Sequence, residues 1–223
     1  MNPVLRLYED VLSKGAEMSL SALPRMIFVV HGAVATAGRL LREDEVWSGE
    51  GAASLKAGAD GATAWRWELA PGDSVDAGKA AARPSIVSRA KLSARLDTLP
   101  AGALLLRGDS VAFPAGGCAY LHRHQGPGIR CLIEGGLRID TRGGSTSYGP
   151  GGAWYESGPE PVFAQAADRP TRFIRVMILP LALLGKSSVE YLNEEDKAKP
   201  KSQKYKIYVD MPIEFAAAQR RPE

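Results

Sequence analysis

The feature of this 223-residue chain that most limits its fold is an internal repeat. The segment running from Ser19 through Pro24 to Val29, Val30, His31 and Gly32 lies without gaps on the segment from His122 through Pro127 to Leu132, Ile133, Glu134 and Gly135. The separation is 103 residues both at the proline (24 to 127) and at the glycine (32 to 135). Further on, Val46-Trp47 matches Ala153-Trp154 at 107 residues, and Ala59-Asp60 with Thr63 matches Ala167-Asp168 with Thr171 at 108. A proline, an apolar pair, a glycine, a tryptophan and an Ala-Asp turn recur in one order, with only loop-sized drift. The chain therefore reads as two copies of one unit.

Both copies consist of short β-rich stretches, such as Met26–Val30, Trp65–Leu69, Arg130–Ile133 and Phe173–Leu179, separated by clusters of Gly, Pro, Asp and Ser. That spacing belongs to antiparallel strands in a sandwich or barrel, and 24 glycines and 15 prolines suit the many turns it needs. The expected architecture is all-β, with two barrels in tandem over residues 1–100 and 101–185. A short N-terminal helix is expected between Val4 and Gly15, where Leu5, Tyr8, Val11 and Leu12 share one helical face. Residues 186–223 form a C-terminal extension. Its first part carries Lys197, Lys199, Lys201 and Lys204 among Glu194, Glu195 and Asp196, and reads as a solvated linker. The stretch Tyr205 to Asp210 regains alternation and can add a strand to an exposed barrel edge, while Ala216 to Glu223 reads as a frayed end.

The balance of charge excludes more than it selects. A net charge of +3 with no basic stripe interleaved with aromatics argues against a nucleic-acid partner. The first fourteen residues lack the apolar run of a secretory signal. The longest apolar run, Phe173 to Leu184, is broken by Arg175 and Pro180 and falls far short of the ~20 residues that span a bilayer. Cys118 and Cys131 make no disulfide framework, although a single bridge between them stays open; the reducing cytoplasm is the expected compartment.

Chemistry concentrates at His122-Arg123-His124, which holds two of the three histidines in the chain. Alternate residues of a strand share a face, so both imidazoles, about 7 Å apart along the strand, can converge on one divalent first-row metal. Gly116, the two histidines and the Gly135 that follows His124 by eleven residues together resemble the first motif of the cupin superfamily. Tyr148-Gly149-Pro150-Gly151-Gly152-Ala153-Trp154-Tyr155-Glu156 resembles the start of its second. With the repeat, the resemblance covers roughly residues 16 to 182 and makes the chain similar to a bicupin, two jelly-roll barrels in tandem. It implies no single activity, because that superfamily hosts dioxygenases, isomerases, lyases, storage proteins and sugar-binding regulators.

The sequence departs from the family pattern where ligands are expected. Gly128 stands where members usually place a glutamate ligand, and Val162-Phe163 where they place a third histidine. Either two histidines hold a metal with an unusual further ligand, or the site is weak, water-rich or vacant. Strand parity puts Tyr120 and Cys118 on the His122 face, and Glu156 is the best charge match for a site of two histidines and one carboxylate, with a solvated turn residue as its alternative. Arg130 points inward by the same parity, where it can hold a carboxylate bidentately; a one-residue slip would expose it and turn Cys131 inward. Gln125 lies in the turn at the barrel mouth, and one of Trp154 and Tyr155 lines the pocket. In the first copy Ser19 and Ser21 take the histidine positions and His31 matches Glu134, so that copy is expected to hold no metal; Trp65, Arg66 and Trp67 read as core and wall.

The function expected from these residues is a metal-dependent enzyme acting on a small anionic metabolite, of dioxygenase, lyase or isomerase type. One divalent transition metal per chain (Fe, Mn, Ni or Zn) would sit on His122 and His124, with Tyr120 or Glu156 moving protons and Arg130, Gln125 and Trp154 binding substrate. The alternative is a binding or sensing protein without turnover. The expected partners are a small molecule and a second copy of the chain, with no nucleic acid and no membrane.

Overall fold

The computed structural model describes residues 2–72 and 85–215. The tail expected to fray, 216–223, lies outside the described residues. The chain divides into two compact units, residues 1–97 with 213–223 and residues 98–212. It is all-β apart from single helical turns.

In the first unit, β1 (Val4–Leu12), β2 (Glu17–Leu20), β3 (Arg25–Thr36), β4 (Arg39–Arg42), β5 (Val46–Gly49), β6 (Ala53–Ala70) and β7 (Ile86–Arg95) form one sheet. Its order is β4-β3-β6-β1-β7, with β2 on β6 and β5 on β3. Leu12, Ile27, Val29, Val34, Leu41 and Leu55 belong to its apolar core. The expected N-terminal helix is instead β1, paired antiparallel with β6 on one side and β7 on the other. Leu5 and Leu7 are buried on one face, and Tyr8 and Asp10 on the other. A strand covered on both faces loses the alternation that would identify it, and the spacing of Leu5, Tyr8, Val11 and Leu12 then imitates a helix.

The face of β1 that carries Asp10 is polar at one end. Arg66 pairs with Asp10 at 2.7 Å and with Glu68 at 2.6 Å, Arg25 pairs with Glu68 at 3.0 Å, and Ser88 donates to Asp10. The Arg66 guanidinium also lies 4.2 Å over the Tyr8 ring. Burial alone would lower the Arg66 pKa, but Asp10 and Glu68 more than offset it and raise the value above the ordinary arginine range.

The second unit contains β8 (Leu104–Phe113), β9 (Cys118–His124), β10 (Gly128–Glu134), β11 (Leu137–Thr141), β12 (Gly144–Tyr148), β13 (Ala153–Glu156), β14 (Val162–Ala166), β15 (Thr171–Pro180), β16 (Val189–Tyr191), the single-turn α1 (Glu194–Ala198) and β17 (Lys204–Ile213). They form two five-stranded sheets, β13-β10-β15-β8-β17 and β12-β11-β14-β9-β16. The C-terminal extension supplies an outer strand to each sheet. Most of residues 186–204 is exposed, as expected of a solvated segment, but it also forms β16 and α1 and is anchored by the buried Ser188, Asp196 and Gln203. The lysines stay at the surface and make local contacts. Lys199 pairs with Asp196 at 2.7 Å, and Lys201 donates to the carbonyls of Lys197 and Lys199. Their ammonium groups sit over aromatic rings, Lys199 5.0 Å from Tyr120 and Lys201 4.5 Å from Tyr191. The alternating stretch Tyr205 to Asp210 lies in β17, beside β8.

The repeat reappears in the strand register. Ile27 faces Trp47 on one neighbour and Arg66 on the other; Arg130, 103 residues later, faces Trp154 and Arg175. The repeated glycine has one backbone requirement in both units, with φ +76° at Gly32 and +86° at Gly135. Among the described residues, no helix is long and apolar enough to cross a membrane.

Replacing Asp10 by Ala leaves the Arg66 guanidinium buried beside one carboxylate where it now has two. Breaking such a pair costs about 3–5 kcal/mol, whereas removing the exposed Arg123–Glu190 pair should cost ~1 kcal/mol or less. Urea denaturation of Asp10→Ala and Arg123→Ala measures both; similar losses would show that the buried network holds nothing together.

Candidate functional site

β9 turns His122 and His124 into the second unit, where they are 5% and 3% exposed. Their rings meet edge to face, with centroids 4.9 Å apart. The strand does not keep simple parity. Val162 on β14 faces His122 but Ala164 faces Ala119, so three steps on β9 match two on β14. This bulge places Ala119, not Tyr120, among the core residues. The expectation that Tyr120 shares the His122 face fails there. Its ring lies beneath Lys199 and Lys201, and only its carbonyl reaches His122, 2.7 Å from Nδ1. That contact engages Nδ1 and leaves Nε2 as the outer ring nitrogen. Cys118 and Cys131 are both free thiols.

Arg130 points inward and is 1% exposed. Its Nη1 donates to the Gly128 carbonyl at 2.7 Å, and its Nη2 lies 2.7 Å from Glu156 Oε2. Glu156 is not a solvated turn residue: Trp154 Nε1 donates to its Oε1 at 2.8 Å, and its Oε2 lies 3.5 Å from His124 Nε2. Trp154 is buried, stacked on Tyr148 at 4.8 Å and edge-on to Phe173 at 5.2 Å. It is part of the core and an anchor for Glu156. Gln125 is exposed and, with Arg123, His124, Ser157 and Glu190, lines a cleft of about 480 Å³ at the mouth.

Two residues that sequence reasoning passed over complete the layer. Arg175 binds Asp109 through two contacts, 2.6 and 3.0 Å, and faces Arg130 across the β10–β15 pair. The available signal was the charge of Arg175 inside the longest apolar run. Along β15, Phe173 belongs to one apolar cluster and Met177 and Leu179 to another, with Arg175 between them. The site is thus a polar layer enclosed between two apolar ones.

Burial, the Arg175 and Arg130 charges and His122 hold His124 well below the usual imidazole pKa. Burial lowers His122 too, against Glu156 and the Tyr120 carbonyl. Arg130 is brought down to about 10 by burial, with Glu156 opposing, and stays charged at neutral pH. For Arg175, Asp109 more than offsets burial and the pKa is raised.

This layer does not suit a resident metal. Among the described residues, no group of three or more His, Cys, Asp or Glu side chains is placed to hold an ion. The carboxylate nearest the histidines already carries Arg130. Unit charges ~4 Å apart inside a protein repel by about 4 kcal/mol, and a divalent ion doubles that. Nor can a glutamate stand at 128, where a Cβ would lie 2.5 Å from the Val176 carbonyl oxygen and 2.7 Å from Met177 Cγ. In the first unit Ser19, Ser21 and His31 are exposed.

No protein-family model matches the sequence, and no curated protein is similar to it. Solved structures are. The oxalate decarboxylase of Bacillus subtilis is similar with a TM-score of 0.61 at 14% identity, over 87% of this chain and 73% of that one. The Lactobacillus farciminis oxalate decarboxylase in its formate complex gives 0.62 at 14%, over 87% and 82%. The chain has the cupin fold. The salicylate 1,2-dioxygenase of Pseudaminobacter salicylatoxidans is more distant, with a TM-score of 0.53 at 14% identity over 79% of this chain and 70% of that one. In the two decarboxylases the matched share exceeds either unit alone, so matched residues fall in both. Mn(II) centres are named for the Bacillus enzyme.

The imidazole shifts set a pH dependence. With folded-state values below the unfolded value of ~6.5, the unfolded chain binds more protons under that pH, so stability falls as pH drops from about 6.5 toward the folded values. Urea unfolding at pH 7.5 and 5.5 should show lower stability at 5.5, with a smaller difference in His124→Gln. A variant as pH-sensitive as the wild type would contradict this.

Proposed function

We propose that the second unit is a binding barrel for a small carboxylate that works without a resident metal, reached through the cleft at His124. The observation that carries this reading is a buried charge pair beside the His124 imidazole: Arg130 Nη2 and Glu156 Oε2 attract across 2.7 Å but are not aligned as a hydrogen bond. An unsatisfied buried group costs ~1–3 kcal/mol, so a ligand that hydrogen-bonds to this pair would offset that cost. A carboxylate matches Arg130, which keeps donor capacity beyond Gly128, and an imidazole can turn a proton toward its second oxygen. Oxalate, formate and salicylate, named with the similar structures, are all carboxylates.

Those names equally suit the metal-dependent enzyme expected from the sequence, but the geometry favours binding. The Tyr120 ring lies outside the layer, Glu156 is tied to Trp154 and Arg130, and neither is poised to move a substrate proton. Gln125, which lines the cleft, would meet a ligand at the mouth.

Chelator-treated protein should bind at least one of formate, acetate, oxalate and salicylate at one equivalent in calorimetry, and ignore acetamide and salicylamide. A carboxylate at a hundred times its Kd should add about 2.7 kcal/mol of stability. Arg130→Gln should weaken binding tenfold or more. Carboxylate consumption by metal-loaded protein, with no binding to the metal-free form, would overturn the reading.

A further inference from the structure

We propose that the C-terminal extension builds a second ligand site in this unit, a cavity beside β8, β15 and β17 that takes a small phosphate monoester with an apolar body. It is separate from the cleft at His124 and does not rest on the carboxylate reading. The cavity measures about 230 Å³ and is lined by Arg175 of β15, by Lys186, Ser187 and Ser188 ahead of β16, and by Tyr205 and Ile207 of β17. Five of these six residues lie beyond the segment that resembles the cupin motifs, so the wall they form belongs to the extension. Sites for drug-sized ligands enclose ~300–1,000 Å³, and this one is smaller.

Three observations carry the inference. The walls are fixed before a ligand arrives. Arg107 is 2% exposed and donates to the carbonyls of Leu183 and Lys186 at 2.6 Å each and to both oxygens of Asp210 at 2.9 Å. The Gly185 amide donates to the same carboxylate at 2.8 Å. One buried guanidinium thus clamps the turn before β16 to β17, which spares a ligand the cost of ordering that wall. The second observation is the donor set. Asp109 takes Nε and Nη2 of Arg175, at 2.6 and 3.0 Å, and leaves Nη1 without a hydrogen bond among the described residues, on a side chain 4% exposed that lines the cavity. Ser187 Oγ accepts from the Val189 amide at 3.1 Å and keeps its own proton to donate. With the Lys186 ammonium these are separate point donors rather than a planar fork, and they suit the spread oxygens of a phosphate better than a flat carboxylate. The third is charge and surface. Asp109 and Asp210 answer Arg175 and Arg107, whereas Lys186 enters no ion pair among the described residues, so the surplus charge at the cavity is positive. The Tyr205 ring lies 5.7 Å from the Arg175 guanidinium carbon, and Tyr205 and Ile207 are 46% and 53% exposed, an apolar wall that the body of the ester would cover.

Calorimetric titration of the full chain with phenyl phosphate, inorganic phosphate and phenol, in a buffer free of carboxylates, tests this. Phenyl phosphate should bind at one equivalent, and inorganic phosphate and phenol each at least tenfold more weakly. Lys186→Ala and Tyr205→Ala alter exposed side chains and leave the core untouched; each should weaken phenyl phosphate about fivefold or more, while Lys186→Arg should stay within about twofold of the wild type. Arg142→Ala removes an exposed arginine outside the cavity and should change nothing. A wild type that does not bind phenyl phosphate, or binds inorganic phosphate as tightly, would overturn the assignment. So would unchanged affinity in Lys186→Ala and Tyr205→Ala, or an equal loss in Arg142→Ala.

Discussion

The second unit is organised around one contact, the buried charge pair between Arg130 and Glu156. A guanidinium that is 1% exposed is stable only where its charge is answered, and the residues around it supply that answer. The Gly128 carbonyl takes one of its nitrogens, Trp154 holds Glu156 in place, and Asp109 occupies the second guanidinium, that of Arg175. The histidines then sit beside positive charge, which together with burial holds the His124 imidazole well below its usual pKa.

The first unit solves a related problem with a different outcome. Arg66, at the register position of Arg175, is enclosed with Asp10, Glu68 and Arg25 in a network whose pairs measure 2.6 to 3.0 Å. No histidine enters it; His31, the one histidine of that unit, lies on the surface beside Glu43. Both units keep an arginine on the same strand position while their inward chemistry diverges, so the repeat preserves a scaffold rather than a site.

Much of this was legible in the sequence. The offsets of the repeat anticipate the register that pairs Ile27 with Trp47 and Arg130 with Trp154. Alternation also gave the shared inward face of His122 and His124, while it left Arg130 open between inward and exposed, and the structure buries it. What stayed hidden has identifiable causes. The β1 strand is buried on both faces and so lost its period, and a bulge on β9 reversed the parity on which the placement of Tyr120 depended. The lysines read as solvent-exposed do lie at the surface, but no local pattern announces that Lys199 and Lys201 rest on the Tyr120 and Tyr191 rings. The pairing of Arg130 with Glu156 joins residues from two strands, and no local pattern announces it.

The account's central claim is that the cation in this layer belongs to the protein. Anomalous diffraction from wild-type crystals soaked in manganese(II) or zinc(II) tests it most directly. No anomalous peak is expected between His122, His124 and Glu156, with the Arg130 guanidinium resting on the Glu156 carboxylate. A fully occupied metal peak bound by both histidines, with Arg130 turned away, would contradict it.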